Sequence, residues 1–271
     1  MKLDTAAAWN EASAMVSANR EVLVILAGAF FLLPGLALEL FLPKPPETPA
    51  ENLDAALEVL RTFWAMAAPW FLASILIQTL GQLTITRLVG GQGRATVGEA
   101  LREGLAGLPV LILVQLLLGL GWALIGGIMV GAPAAAGSIG LAVLFGLILL
   151  GVALWIGARL SLILPLIAIE RQRNPLTILG RSWQLTKGNA GAILLFLVLV
   201  VVVAVVLAVV ASAVGGTVAT LLIGEHGGAI TAGVLSSLLS ALVTLYVTAM
   251  LTAIYRHLGG QADPQMPDVF R

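Results

Sequence analysis

Residues 190–224 read AGAILLFLVLVVVVAVVLAVVASAVGGTVATLLIG, without one charged side chain. A bilayer hydrocarbon core about 30 Å thick is crossed by about 20 apolar residues in a helix. This run is therefore long enough to cross a membrane with residues to spare. Its centre is β-branched, yet its length and the absence of polar alternation favour a lipid-embedded helix over a strand. A second uncharged run, from Gly104 to Ala158, is long enough for a hairpin of two spans. Together the two runs make an all-α, polytopic membrane protein the expected fold class.

Composition points the same way. Of 271 residues, 59% are hydrophobic and 10% charged, with a mean hydropathy of +1.05; soluble domains carry about 25% charged residues. The formal net charge is zero, so no nucleic-acid partner is expected, because phosphate binding needs an excess of Lys and Arg. With no cysteine, disulfides, thiolate metal sites and thiol nucleophiles are all excluded. The first apolar run begins near Val22, behind Asp4, Glu11 and Glu21. It is longer than a signal-peptide core, so it is expected to be retained as a span.

Uncharged length and helix breakers place six spans, at about 22–42, 64–87, 108–130, 138–168, 190–213 and 230–254. The first ends at PKPPETP (43–49), which cannot continue a helix. Thr48-Pro49-Ala50-Glu51 has capping-box spacing, and an acidic amphipathic helix with Leu53, Leu57 and Leu60 on one face leads into the second span. GAPAAAG (131–137) reads as the turn between spans three and four, and Gly215-Gly216 as a kink or end in span five. Span four is long and is expected to tilt or protrude.

Lys and Arg concentrate on cytoplasmic loops. Arg87, Arg94 and Arg102 lie between spans two and three, and Arg171, Arg173, Arg181 and Lys187 between four and five. Lys2 and Arg20 precede the first span; Arg256 and Arg271 follow the last. The opposite side has only Lys44 and Arg61, among Glu47, Glu51, Asp54 and Glu58. Both termini are expected in the cytoplasm.

An internal repeat is also visible. Ile85-Thr-Arg87-Leu-Val-Gly90-Gly91-Gln92 matches Ile254-Tyr-Arg256-His-Leu-Gly259-Gly260-Gln261, and Ile169-Glu-Arg171 lies between them. Asn19 and Asn189 stand before spans one and five. The expected unit is an interfacial amphipathic helix, a span out, a span back, and Ile-x-Arg at the exit. It occurs three times, over about 1–92, 93–173 and 174–261, with 262–271 as a cytoplasmic tail. The amphipathic segments fall at 4–19, 95–107 and 175–188. In the last, Ile178, Leu179, Trp183 and Thr186 oppose Arg181, Gln184 and Lys187. Such helices lie in the membrane interface, apolar side down.

The inventory for chemistry is thin. The chain has two His, His226 and His257, and no HExxH, G-x-S-x-G or Walker A pattern. No carboxylate pair lies within the expected spans, so no catalytic residue, metal ligand or cofactor is assigned. Arg159 is the one charge inside a span, placed near mid-membrane by its position about ten residues before the inner end of span four. An ionisable residue there needs a partner or water. Gln78, Gln82, Gln115 and Glu39 are the candidates; the other reading is that Arg159 snorkels to a headgroup. Gly127-x-x-x-Gly131, with Gly119, Gly121, Gly126, Gly146, Gly151 and Gly157, suggests close packing of spans three and four, within the chain or against a second copy. Trp155 and Trp183 read as interfacial anchors.

The segment LPLIAIERQRNPLTILGRSWQLTKGN (164–189) carries a further signal: a Pro-containing span ending in Glu170, then Arg171, Pro175, Arg181-Ser182-Trp183, Leu185-Thr186-Lys187 and Gly188. It resembles a segment of YciC-type bacterial inner-membrane proteins and of the membrane domain attached to some glycerophosphodiester phosphodiesterases. The resemblance implies a bacterial inner-membrane protein and no particular reaction. Phosphodiesterase chemistry would need a soluble barrel with carboxylate metal ligands, which this sequence is expected to lack. The expected role is a non-enzymatic scaffold or lipid-handling element whose partners are membrane lipids, in particular anionic headgroups on the cytoplasmic side, with a second copy or another membrane protein as a further candidate partner. The alternative is a small-solute or lipid transporter using Arg159 and the span-two Gln residues.

Overall fold

A computed structural model describes residues 4–42, 53–91 and 95–259. The PKPPETP stretch, the Thr48–Glu51 capping box, Arg94 and the tail beyond Gly259 lie outside the described residues. Among the described residues every regular element is helical. In chain order they are α1 (Thr5–Ala18), α2 (Arg20–Ala27), a π-helical turn (Gly28–Leu32), α3 (Leu33–Phe41), α4 (Leu53–Gly90), α5 (Val97–Gly126), a second π-helical turn (Gly127–Gly131), α6 (Ala132–Ala135), α7 (Ile139–Arg159), α8 (Ile163–Ala168), α9 (Pro175–Leu185) and α10 (Ala190–Gly259). Among the described residues, five continuous stretches are long and apolar enough to cross a membrane: Arg20–Phe41, Ala55–Gly90, Val97–Ala135, Ile139–Ala168 and Ala190–Gly259. The chain is an all-α polytopic membrane protein.

The last stretch is two helices in one. Its backbone breaks at Gly224, at φ 83 and ψ 174, a region essentially restricted to glycine. Around that break the arms run antiparallel: Ser212 Oγ and Ser236 Oγ are 2.8 Å apart, and a Cβ built on Gly216 would come within 3.2 Å of Ala232. A Cβ on Gly215 would run into Leu235. Gly215-Gly216 is therefore not the break expected from the sequence. These glycines let the arms approach, and the helix runs on to the true turn at Gly224.

Other expected boundaries also shift. The acidic segment after residue 53 and span two form a single helix, α4, which passes through Pro69. The second amphipathic segment is not a separate interfacial helix. It is the start of α5, which runs unbroken from a capping box at Thr96 and Glu99 through Pro109. The reason lies in the breakers. Asn19 separates α1 from α2, and Gly188, at φ +84, separates α9 from α10, whereas Gly107 stays in the helix, buried against Ile167. The turn after α6 falls at Ala136–Ser138, with Gly137 at φ +78.

The described chain divides into two compact units. One comprises residues up to Ala18, Leu83–Val200 and Val247 onward; the other comprises Asn19–Gln82 and Val201–Tyr246. In the second unit, Phe30 and Phe31 close over Gly81, Ser237 lies beside Gly35, and Glu39 lies beside Gly233.

In the first unit the ends of α4, α8 and α10 converge. A Cβ on Gly90 would come within 2.5 Å of both Ile169 and Thr252, and Leu83, Ile85, Leu166, Ile254 and Thr252 are fully buried there. Charged pairs tie these ends to the amphipathic segments. Arg87 pairs with Glu103 on α5, Glu170 lies 3.7 Å from Arg181 on α9, and Arg256 lies 3.1 Å from Glu11 on α1. Glu103 also holds Arg171, whose own backbone sits at φ 53 as the chain turns from α8 to α9. Tyr255 Oη donates to Glu170 Oε1 at 2.8 Å.

Candidate functional site

The amphipathic segment α9 opens with a cap. Asn174 Oδ1 accepts from the backbone N–H of Leu176 at 3.0 Å, and Pro175 occupies the first helical position, where its missing N–H costs nothing. The helix buries Ile178 and Ser182, with Thr186 buried at its C-cap, while Arg181, Gln184 and Lys187 are exposed. That is the division of faces its sequence predicts, except that the buried line runs through Ser182 and leaves Trp183 at its edge.

The buried face of α9 meets the end of α7. α7 terminates at Arg159, so its last carbonyls lack intrahelical donors. Two side chains supply them: Ser182 Oγ donates to the Arg159 carbonyl at 2.9 Å, and Thr186 Oγ1 reaches the same oxygen at 3.0 Å. The Thr186 hydroxyl also lies 2.8 Å from the Ser182 carbonyl. Ser182 and Thr186 are fully buried.

Two indoles hold the Arg159 side chain. Its guanidinium carbon lies 4.4 Å from the Trp183 ring centre and 5.3 Å from that of Trp155. The two rings meet edge to face at 5.2 Å. Cation–π contacts of this kind contribute about 2 kcal/mol or more when desolvated. Arg159 is 8% exposed, and its Nε has no hydrogen-bond partner among the described residues.

Arg159 was expected near mid-membrane, part-way along a continuous span. α7 has 21 residues, about 31 Å of helix, and Arg159 is its final residue, within the apolar stretch Ile139–Ala168. It does not extend to solvent, being covered by tryptophan. Of its expected partners, Gln115 is exposed on α5, and Gln78, Gln82 and Glu39 belong to the second unit, where Glu39 is exposed and both glutamines are partly buried. The carboxylates and amides described here give the guanidinium no hydrogen bond. Sequence reasoning assigned the tryptophans to membrane anchoring, although the i, i+4 spacing of Trp155 and Arg159 already allowed them to meet on one helix face.

Alongside α7 lies a groove. α5 and α7 meet at one end through the second π-helical turn and α6, and at the other end α8 packs on α5 and α9. Between these contacts the two helices diverge around a cavity of about 320 Å³, within the range of small-molecule sites. α5 contributes Leu117, Gly121 and Trp122, among others, the second π-helical turn contributes Met129, and α7 contributes Ile148, Leu149, Val152 and Ile156. Within the chain, close glycine packing of spans three and four is not what forms. Gly119, Gly121, Gly126, Gly127 and Gly131 have open space where a Cβ would stand, and Gly121 helps line the cavity. The α7 residues facing the groove recur at helical spacing, and the next position on that face after Ile156 is Arg159.

The remaining signature residues frame this site. Glu170 is held by Tyr255 and Arg181, Arg171 pairs with Glu103, and Lys187 is exposed. Near α1, His257 Nε2 sits 2.9 Å from Glu11 Oε2, too poorly aligned for a hydrogen bond. Among the described residues, no cluster of three or more His, Asp or Glu could hold a metal ion.

Residues 136–267 match the family described as the membrane domain of glycerophosphoryl diester phosphodiesterase. No curated protein and no solved structure matches the chain. The matched stretch contains α7, α8, α9 and α10, and with them Arg159, both tryptophans and the two hydroxyls that cap α7. From α7 onward, this membrane protein is thus similar to the membrane domain of glycerophosphoryl diester phosphodiesterases.

Proposed function

We propose that the protein is a non-enzymatic, lipid-handling element of a bacterial inner membrane, with both termini in the cytoplasm. The observation that carries this reading is the groove between α5 and α7, whose lining is apolar apart from the Trp122 indole N–H. An apolar cavity open to hydrocarbon receives an acyl chain without desolvating polar groups. A solute path would need polar groups along it, so the transporter alternative has no support from this cavity. The family match is to a membrane domain rather than a catalytic one, which agrees with a non-enzymatic role. The YciC-type relation belongs to this proposal, on the strength of the Arg181-Ser182-Trp183 segment.

The threefold repeat belongs to it as well. The ion pairs join the first exit to the second amphipathic segment (Arg87 with Glu103), the second exit to the third (Glu170 with Arg181) and the third exit to the first (Arg256 with Glu11). The second pair has its charges reversed. A cycle of this kind is what three copies of one unit around a common centre would produce.

Native mass spectrometry of detergent-extracted protein tests the proposal. Retained lipid is expected, and Val152→Trp, which fills the groove, should reduce it. Lipid-free wild-type protein would overturn the reading.

A further inference from the structure

Resting on the lipid-handling reading, we propose that Arg159, Trp155 and Trp183 form the headgroup end of a specific site for a glycerophospholipid, with the phosphodiester at the guanidinium and one acyl chain in the α5–α7 groove. Three observations converge on this ligand. Arg159 is more than nine-tenths buried, its guanidinium meets no carboxylate, and its Nε is buried without a hydrogen-bond partner among the described residues. Buried cations are ordinarily paired, so an anion is the missing group. The groove face of α7, through Ile148, Val152 and Ile156, continues by helical spacing onto Arg159. From Ile148 to Ile156 that face is about 12 Å long at 1.5 Å per residue, long enough to hold a substantial part of an acyl chain. One molecule that presents an anionic oxygen at one end of an apolar chain satisfies both features; a free anion leaves the groove empty, and a neutral lipid leaves Arg159 unpaired.

Trp155 and Trp183, meeting edge to face, hold the guanidinium beside the corner their rings make, and its N–H donors are the groups with which Arg grips phosphate oxygens. Ser182 and Thr186 act at one remove: by holding the Arg159 carbonyl they fix where α7 ends and hence where its side chain begins.

The test uses the full-length protein in non-ionic detergent, titrated with phosphatidylglycerol or with diacylglycerol of the same chains and followed by native mass spectrometry. Wild type should prefer the phospholipid by about tenfold or more, the scale of a charge-assisted hydrogen bond. Arg159→Gln should abolish that preference while still binding diacylglycerol, and Arg159→Lys should keep part of it. Val152→Trp should weaken both lipids together. Glycerol phosphate alone should not displace bound phospholipid. Equal binding of the two lipids by wild type would overturn the inference, as would an unchanged preference in Arg159→Gln or displacement by glycerol phosphate. The wild-type comparison decides the matter even if Arg159→Gln fails to fold. Should wild type bind neither lipid, the lipid-handling reading itself would fall. Should it bind both equally and lose both in Val152→Trp, only the Arg159 site would fall.

Discussion

The cap on α7 makes a prediction of unusual form, because two hydroxyls from one helix serve one carbonyl on another. Ser182 Oγ has the Arg159 oxygen as its acceptor, while the Thr186 hydrogen is shared among the Arg159, Ser182 and Trp183 carbonyls. Removing Ser182 alone lets Thr186 turn fully to Arg159. Removing Thr186 alone leaves Ser182 in place. Each single change, Ser182→Ala or Thr186→Val, should therefore cost about 0.5–1 kcal/mol, the ordinary loss for one hydrogen bond inside a membrane protein. The double variant leaves the carbonyl buried with no donor at all, a penalty of about 1–3 kcal/mol on that group alone. The double loss should thus exceed the sum of the singles by about 1 kcal/mol. Reversible unfolding in mixed micelles, followed by tryptophan emission, measures all three, since Trp155 and Trp183 stack beside the cap. Simple additivity to within about 0.3 kcal/mol would refute the shared-acceptor reasoning.

Other perturbations follow from the packing. Gly224→Ala should destabilise by about 1–3 kcal/mol, because its φ 83, ψ 174 conformation excludes a Cβ; thermal unfolding would show it, and Gly180→Ala, on the open face of α9, serves as the control. Gly90→Ala drives a methyl group into Ile169 and Thr252 and should cost about 1–3 kcal/mol by overpacking, read by the same melt. Glu103→Gln releases Arg87 and Arg171 together. Both pairs are partly exposed, so a loss of at most about 1 kcal/mol per pair is expected, shrinking as salt is raised.

How far the sequence could be read depended on whether a signal was local. The charge-free runs, the Pro175 start of α9 and, Trp183 apart, the division of its faces are properties of neighbouring residues, and each appears in the structure where the sequence places it. Glycine was ambiguous for a physical reason: the same absent side chain serves a turn at Gly224, close approach at Gly215 and open groove space at Gly121. Only the partner helix decides among these, and the partner is not local. The same holds for Arg159. Its burial under Trp183 depends on α9 folding back over the end of α7, a contact between residues 24 positions apart (183 − 159). The merging of the second amphipathic segment into α5 was legible in principle, since Asn19 and Asn189 have no Asn counterpart between residue 95 and Pro109. The pairing of Glu11 with Arg256 was not, because it joins the two ends of the described chain.

The lipid-handling account stands or falls on what occupies the α5–α7 groove. A phospholipid carrying a photoreactive diazirine in its acyl chain, incorporated with the protein into nanodiscs and activated, would report its position through the labelled peptides. Labelling concentrated on residues 117–129 and 148–156, and lost in Val152→Trp, is the predicted result. Labelling spread evenly over exposed apolar surface, with Leu221 and Leu222 at the α10 bend marked as strongly as the groove, would contradict it.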